Sequence, residues 1–338
     1  MARIALDVMG GDLAPQAPIA GALLALAELD SRHLIQLVGK SETIERELDL
    51  QLAASDTPRD ARDRLIIVDA PDVIEMSDRP SAAVRGKPNS SMVVGLKLHA
   101  AGDADGFISA GNTGAQMAAS VVLLKLHGGL TRPAIATVFP TARAPVVVLD
   151  AGANVDCSAV ELLQFARLGS VYAEDILQRS NPVIGLLSVG EEPEKGNAAV
   201  KEAHKLLQHA GLNFAGNVEG RDILTGGGPN RQVDVFVCDG FVGNVLLKFY
   251  ESVPEMMFGM MRRTGVTQQL LDQTFKGFDY SDYGGAPLLG VKGVSIISHG
   301  SSSPRAIKNA IGVALRAIDT QMVDHIGRRL ENCTGSDE

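Results

Sequence analysis

Short apolar runs alternate with helix-period segments along the chain, and a polar turn that contains glycine follows most of these runs. Seven such stretches are visible: 4–12, 107–115, 146–156, 183–192, 213–222, 235–244 and 294–302. A continuously apolar run such as Val146–Leu149 predicts a strand buried on both faces, as in a parallel sheet. The alternation predicts a doubly wound α/β fold, with a mostly parallel sheet and flanking helices.

Several of the intervening helices carry recognisable start signals. Ser158 and Glu161 have the spacing of a capping box. Asn197 is a candidate N-cap for a second helix, which Gly211 is expected to end. Ser303, which a proline follows, predicts the start of a third.

No linker rich in proline or serine interrupts this alternation, so residues 1–330 are expected to form a single α/β domain. Residues 331–338 are expected to form a polar tail. Within 245–263, Pro254 predicts the end of one helix and the start of another, and thus a protruding hairpin over 245–285.

The stretch 245–263 contains four of the chain's 10 methionines within six positions. Its apolar residues are compatible with a core helix or a dimer interface. They are also compatible with an apolar tip that enters lipid, with Arg262 and Arg263 near the headgroups.

The charge and the cysteine content of the chain limit the classes of function that it can have. With 31 Lys+Arg against 40 Asp+Glu and a net charge of −9, the chain lacks the basic character of a nucleic-acid-binding protein. Its 3 cysteines form neither a disulfide framework nor a metal-ligand spacing, which favours a reducing cytoplasm. We expect Cys157 and Cys238 to be small buried hydrophobic residues, and we expect no metal and no cofactor.

The turn after the second of the seven runs combines small and polar residues without any charge. In open α/β sheets, ligands bind beyond the carboxyl ends of strands, where helix starts offer free N–H groups to an anion. The turn lacks the lysine of a nucleotide-binding P-loop. It is therefore either a plain tight connection or a phosphate site formed by Ser109, Ala110, Gly111, Asn112, Thr113 and Gly114.

Charged side chains in two other loops are candidate substrate-binding residues. They are Arg85 and Lys87 in one loop, and Glu191, Glu192 and Lys195 in the other. For each cation the alternative is a solvated loop residue. His299, between an apolar strand and a helix, is either a proton donor or a structural imidazole.

Read together, the turns form an ordered series of motifs from about residue 2 to residue 320. They are DVMGGD (7–12), ISAGNTG (108–114), LDAGAN (149–154), GEE with KG (190–196), GN with EGRD (216–222), DGFVGN (239–244), DYSDYGGAPLLGVKG (279–293) and HGSS (299–302). This series resembles the PlsX family, the phosphate acyltransferases of bacterial phospholipid synthesis. Val8 and Val242 depart from the family pattern, and Val242 is left out of the expected site.

The resemblance implies a reaction in which an acyl carrier protein thioester and inorganic phosphate give acyl phosphate and free carrier protein. It implies a fold similar to phosphotransacetylases and to isocitrate and isopropylmalate dehydrogenases, a homodimer, and loose membrane association from the cytoplasm. The product would pass to the membrane acyltransferase PlsY.

The resemblance also implies roles for individual residues. Lys195 would be a charge partner of phosphate, and His299 would donate a proton to the departing thiolate. The remaining expected site residues are polar orienters or substrate contacts: Asn154, Asn217, Asn244, Asp239 and Gly240.

Two other functions remain open from the sequence. An isopropylmalate-type dehydrogenase would share the fold, but should show a metal-binding aspartate cluster and a cofactor loop. A non-catalytic lipid-binding regulator would explain the methionine-rich stretch and leave the polar turns without a role.

Overall fold

The computed structural model describes residues 1–54, 59–228, 231–263, 266–267, 270 and 284–334. The chain divides into two compact units, Met1–Gly129 with Tyr283–Glu338 (unit 1) and Leu130–Asp282 (unit 2). The sequence leads us to expect one domain because no flexible linker marks the boundaries. In sequence, unit 2 falls between the two segments of unit 1, and each unit is built around strands of its own.

The described residues form eleven short strands. They are β1 (Arg3–Asp7), β2 (Leu34–Gly39), β3 (Leu65–Asp69), β4 (Gly106–Ser109), β5 (Ala134–Phe139), β6 (Val146–Leu149), β7 (Ile184–Leu187), β8 (Phe214–Val218), β9 (Val235–Val237), β10 (Ala286–Leu289) and β11 (Ser295–Ile297). Each of the seven stretches singled out in the sequence overlaps one of these strands, which confirms that part of the prediction.

Eleven α-helices lie within the described residues. They are α1 (Gln16–Glu28), α2 (Ser41–Ala54), α3 (Pro80–Gly86), α4 (Ser91–Ala101), α5 (Thr113–Leu124), α6 (Ala159–Asp175), α7 (Ala198–Gln208), α8 (Gly220–Thr225), α9 (Gly240–Arg263), α10 (Pro304–Asp319) and α11 (Met322–Thr334).

The predicted helix starts are confirmed. Ser158 and Glu161 form the capping box of α6, and Asn197 and Ser303 each accept a hydrogen bond from the amide three residues further on. The second helix ends at Gln208, one turn before Gly211.

Two helices extend beyond the boundaries expected from the sequence. Helix α11 includes residues 331–334 of the expected tail, while 335–338 lie outside the described residues. Helix α9 continues through Pro254 without a break, and much of the expected hairpin after residue 263 lies outside the described residues. One turn before the proline, Tyr250 fixes α9 because its hydroxyl donates to Pro140 O at 2.9 Å and its ring stacks on Phe139.

Both units carry a mostly parallel sheet, as predicted. In unit 1 the strand order is β3-β2-β1-β4-β11-β10, and β10 runs antiparallel to β11. In unit 2 the order is β5-β6-β9-β7-β8, and β5 runs antiparallel to β6. Because the other strands of each unit are parallel, the turns after their carboxyl ends lie along one edge.

The core of each unit is made by these strands and the helix faces against them. All four residues of β6 are buried, as expected for a strand covered on both faces. In unit 2 the buried cluster consists of Phe139, Val146, Val148, Val218, Ile223, Val233, Phe236, Cys238 and Tyr250. No helix within the described residues has the combined length and apolar character that crossing a bilayer requires.

The protonation state of His99 makes the stability of unit 1 depend on pH. Its Nδ1 bonds to Ala104 O at 2.9 Å, and its Nε2 accepts the amide of Val294 at 2.9 Å. Burial lowers the pKa of the His99 imidazole. The folded protein therefore favours the neutral ring, whereas the unfolded chain takes up a proton near the ordinary pKa of about 6.5.

We predict that His99 stabilises the fold above about pH 6.5, and that this contribution is lost as pH falls toward the lowered pKa of the folded state. Wild-type protein should lose more free energy of unfolding between pH 7 and pH 5 than His99→Gln does, in urea titrations. His209→Gln, which changes an exposed histidine, is the control and should follow the wild type. Parallel curves for wild type and His99→Gln would contradict the prediction.

Candidate active site

In unit 1, a buried carboxylate lies beneath the first glycine turn. Asp7 is the last residue of β1 and is only 2% exposed. One carboxylate oxygen accepts the hydroxyl of Ser109 at 2.7 Å, and the other accepts the amide of Met9 at 3.1 Å. Burial raises the pKa of Asp7, and hydrogen bonds from Ser91 and Ser109 oppose that rise.

The turn after β4 is held from inside by its own serine. The Ser109 hydroxyl donates to Asp7 and accepts the amide of Gly111 at 3.0 Å. The Ser109 side chain is fully buried. Among the expected phosphate residues, Ser109 therefore fixes the shape of the turn and presents no hydroxyl at the surface.

Asn112 fixes the other end of this turn. Its Oδ1 accepts the amide of Ala115 at 3.0 Å, so Asn112 is the N-cap of α5. Its Nδ2 donates to the carbonyl oxygens of Met76 and Asp78, both at 3.1 Å. The asparagine side chain thus ties a neighbouring loop to the start of the helix.

The first two backbone amides of α5 are available as hydrogen-bond donors to a ligand. Within the described part of the chain, the N–H groups of Thr113 and Gly114 have no hydrogen-bond acceptor, and Thr113 is exposed. The start of a helix carries a partial positive charge as well as these donors. An anion at this turn would therefore meet the backbone amides at 113–114 and the exposed Thr113.

The two basic residues expected to bind substrate in unit 1 differ in their surroundings. Lys87 Nζ pairs with Asp78 at 2.6 Å and donates to Val73 O at 2.8 Å. The Lys87 ammonium lowers the pKa of Asp78. Arg85 is exposed, and its Nε donates to Ser81 O. Lys87 is thus used to close its own loop, while Arg85 lies at the surface.

His299 lies beside the first two turns. Its Nδ1 is 2.7 Å from the hydroxyl of Ser301, and the ring is exposed. The carbonyl of the next residue, Gly300, accepts the amide of Asp12 at 2.7 Å. Three turns of unit 1, after β1, β4 and β11, therefore meet at one edge of its sheet.

In unit 2, a second buried aspartate organises the turn after β6. Asp150 is fully buried, and burial raises its pKa. Its Oδ1 accepts the amides of Ile135, Gly152 and Ala153 at 3.0–3.2 Å. Its Oδ2 accepts both nitrogens of Asn154, at 2.7 and 2.8 Å.

Asn154 is consequently a structural residue. Its Nδ2 also donates to Pro133 O at 2.7 Å, and the side chain is buried. These contacts fix the Asp150 turn, and the substrate-orienting role expected of Asn154 stays a prediction.

The start of α9 packs against the Asp150 turn. Asp239 accepts the amide of Val242 at 2.9 Å, and the amide of Gly240 donates to Asn154 O at 2.6 Å. Gly243 is required by close approach, because a Cβ there would overlap the carbonyl oxygen of Asp150. Asn244, one residue further, is exposed and lies over Gly152.

The loop before α7 is held by Asn217. This buried side chain donates to Glu192 O at 2.8 Å, and its Oδ1 bonds to His204 Nδ1 at 2.9 Å. Lys195 and Glu191 are exposed on the same loop. Asn217 therefore shapes the loop, and Lys195 is its exposed cation.

The cysteines of unit 2 are not arranged as nucleophiles. Cys157 and Cys238 are buried, as expected from the sequence. Burial raises the pKa of the Cys157 thiol to about 11 and raises that of Cys238 as well. In the described residues, His, Cys, Asp and Glu side chains do not gather into a group of three that could hold a metal ion.

Sequence reasoning did not single out Asp7 or Asp150 as site residues. Each stands at the carboxyl end of an apolar strand, two or three residues before a glycine, and that placement is the signal that marks them. A charge at the end of a buried run needs partners, and the following turn provides them.

The exposed face of α9 is unusually apolar. Five side chains there are each 52–64% exposed: Phe241, Val245, Phe249, Met256 and Met260. With a rotation of about 100° per residue, these five positions fall within an arc of about 100° on one side of the helix. We call this set the α9 stripe.

The fold resembles those of solved acyl-transferring and dehydrogenase proteins. A phosphotransacetylase from Streptococcus pyogenes matches with a TM-score of 0.61 at 18% identity, over 96% of this chain and 94% of that one. A branched-chain phosphotransacylase from Enterococcus faecalis V583 matches with a TM-score of 0.60 at 16% identity, over 94% and 99%. A 4-hydroxythreonine-4-phosphate dehydrogenase from Klebsiella pneumoniae matches with a TM-score of 0.52 at 13% identity, over 94% and 100%. At these identities the likeness shows the fold alone.

Sequence relatives are much more similar. The profile of a family described as "Fatty acid synthesis protein" matches residues 2–325. The chain is 46% identical to a phosphate acyltransferase of Desulforamulus reducens over 100% of both chains. It is also 46% identical to a phosphate acyltransferase of Salinibacter ruber over 96% of both. The chain therefore belongs to the PlsX family of phosphate acyltransferases.

Proposed function

We propose that this enzyme transfers the acyl group of an acyl carrier protein thioester to inorganic phosphate, forming acyl phosphate and free carrier thiol. The observation that carries this proposal is the start of α5, where the amides of Thr113 and Gly114 are available between two fixed ends. Donors held in advance in this way bind a tetrahedral oxyanion without reorganising.

The chemistry needs no protein nucleophile. A phosphate oxygen attacks the thioester carbonyl carbon, a C–O bond forms, and the C–S bond breaks as the tetrahedral intermediate collapses. The thiolate leaves with the electron pair and then takes a proton. The protein's task is to hold phosphate in place and to stabilise the oxyanion, which agrees with the burial of both Cys157 and Cys238.

His299 is our candidate donor for that proton. The exposed imidazole lies beside the anion-binding turns of unit 1, and its Nδ1 is held by Ser301. Lys195 and Asn244, exposed in unit 2, are candidate substrate contacts. The acyl phosphate would then pass to a membrane acyltransferase such as PlsY.

The two alternative functions are less well supported. Relatives that match the whole chain are named phosphate acyltransferases, whereas the dehydrogenase likeness is one of fold. A purely lipid-binding regulator would need neither the fixed start of α5 nor the buried aspartates beneath the turns.

We predict that the purified protein forms acyl phosphate when mixed with acyl carrier protein thioester and phosphate. Hydroxylamine added after the reaction should give an acyl hydroxamate, measured by mass spectrometry, because acyl phosphates acylate hydroxylamine. Parallel mixtures without phosphate or without protein correct for the direct reaction of the thioester. Absence of any phosphate-dependent hydroxamate would remove the proposal, and NAD-dependent turnover would favour the dehydrogenase.

We also propose that the α9 stripe contacts the membrane surface. Its apolar side chains face outward at the surface of unit 2, and the helix ends in Arg262 and Arg263, which favour anionic headgroups. A second copy of the chain is the competing occupant, because dimer interfaces are also apolar.

We predict that Phe249→Ser/Met256→Ser/Met260→Ser binds phosphatidylglycerol-containing vesicles at least about tenfold more weakly than wild type, because three exposed apolar side chains are lost. Flotation measures the binding. Leu50→Ser/Val122→Ser, which removes exposed apolar side chains outside the stripe, is the control and should float like wild type.

Equal flotation of the triple variant and the wild type would contradict membrane contact. A change from dimer to monomer with unchanged flotation would assign the stripe to a contact between subunits. Mass photometry or sedimentation on the same samples makes that distinction.

A further inference from the structure

The buried carboxylate of Asp7 accepts hydrogen bonds from more than one part of unit 1. It accepts the amide of Met9 in its own turn and the hydroxyl of Ser109 at the end of β4. One buried group therefore joins β1 and the turn after it to β4. Because it is 2% exposed, Asp7 does not itself face a ligand.

Ser109 connects Asp7 to the turn after β4 through two hydrogen bonds. Its hydroxyl proton points to the carboxylate at 2.7 Å, which leaves an oxygen lone pair to accept the amide of Gly111 at 3.0 Å. That amide is consequently turned inward. The direction of the next peptide groups follows from this fixed point.

The two turns also touch through their backbones. A Cβ on Gly10 would lie 2.7 Å from the Asp7 carboxylate, 2.8 Å from the Gly111 nitrogen and 2.9 Å from the Ser109 hydroxyl. These distances are too short for any side chain. The turn after β1 is therefore stacked directly on the turn after β4.

The far end of the anion-binding turn is held independently by Asn112. Its side chain caps α5 and donates to the carbonyl oxygens of the loop at Met76 and Asp78. The segment 112–114 is thus fixed at both ends before any ligand arrives. Donors that are fixed in advance lose less conformational entropy on binding.

We propose that Asp7 is a positioning residue for phosphate: acting through Ser109, its buried carboxylate sets the direction of the first amides of α5. This inference rests on the proposed function, since it assumes that phosphate binds there. Asp7 and Ser109 do not touch the substrate. Their removal should weaken phosphate binding and leave the binding of the acyl donor unchanged.

Ser109→Ala should raise the KM for phosphate about tenfold, as expected for one lost hydrogen bond with its positioning effect. The KM for the acyl carrier protein thioester should change less than about twofold, within ordinary surface-mutation effects. Asp7→Asn in the wild-type background should raise the phosphate KM at least as much. In the Ser109→Ala background it should add little, because both residues act through one contact.

Ser120→Ala is the matched control. Ser120 is a buried serine on α5, and its hydroxyl is 3.0 Å from that of Ser295. Its loss should lower the melting temperature by an amount similar to Ser109→Ala. It should leave the phosphate KM at the wild-type value.

Calorimetric titration of inorganic phosphate into the protein, without acyl donor, tests the same point at equilibrium. Ser109→Ala binding phosphate as tightly as wild type would overturn the inference, even if the enzyme is an acyltransferase. Additive effects of Asp7→Asn and Ser109→Ala on the phosphate KM would contradict the proposal that Asp7 acts through Ser109. Failure of the proposed function is a different result, namely absence of phosphate-dependent hydroxamate in the wild type. If Asp7→Asn does not fold, Ser109→Ala alone decides.

Discussion

A carboxylate that is removed from water needs hydrogen-bond donors around it, and this requirement shapes the glycine turns of both units. Asp7 stands at the end of β1 and Asp150 directly after β6, and both are almost fully buried. Leaving such a charge without partners costs about 3–5 kcal/mol. The chain meets the requirement by folding the next few backbone amides back onto each carboxylate.

The same requirement explains why the turns contain so little bulk. Gly10 in unit 1 and Gly243 in unit 2 approach the aspartate or its backbone so closely that a Cβ has no room. Small residues thus allow close packing on the inner face of the turn, as well as the approach of a ligand to its outer face. A rigid inner layer then leaves the first amides of α5 at the outer surface, which is the arrangement an anion requires.

Local signals in the sequence were sufficient for most of the fold. Strands such as β6 are continuous apolar runs, and N-caps such as Asn197 act on an amide only three residues away. The roles of Asn154 and Asn217 could not be predicted in this way. Their partners, Pro133 and Glu192, lie about twenty residues or more away in sequence, so only the folded chain shows that these amides are already used. Helix α9 is likewise anchored, one turn before Pro254, by the contact of Tyr250 with Phe139, a residue far away in sequence.

The burial of Cys157 and Cys238 has a consequence for how this protein responds to thiol reagents. Alkylation requires a thiolate in contact with solvent, and both sulfurs are enclosed and hold their protons tightly. Modification of these two cysteines must therefore wait for unit 2 to open. The rate of labelling at each sulfur reports how often that opening occurs, and loss of activity after labelling would reflect a trapped open form rather than a blocked nucleophile.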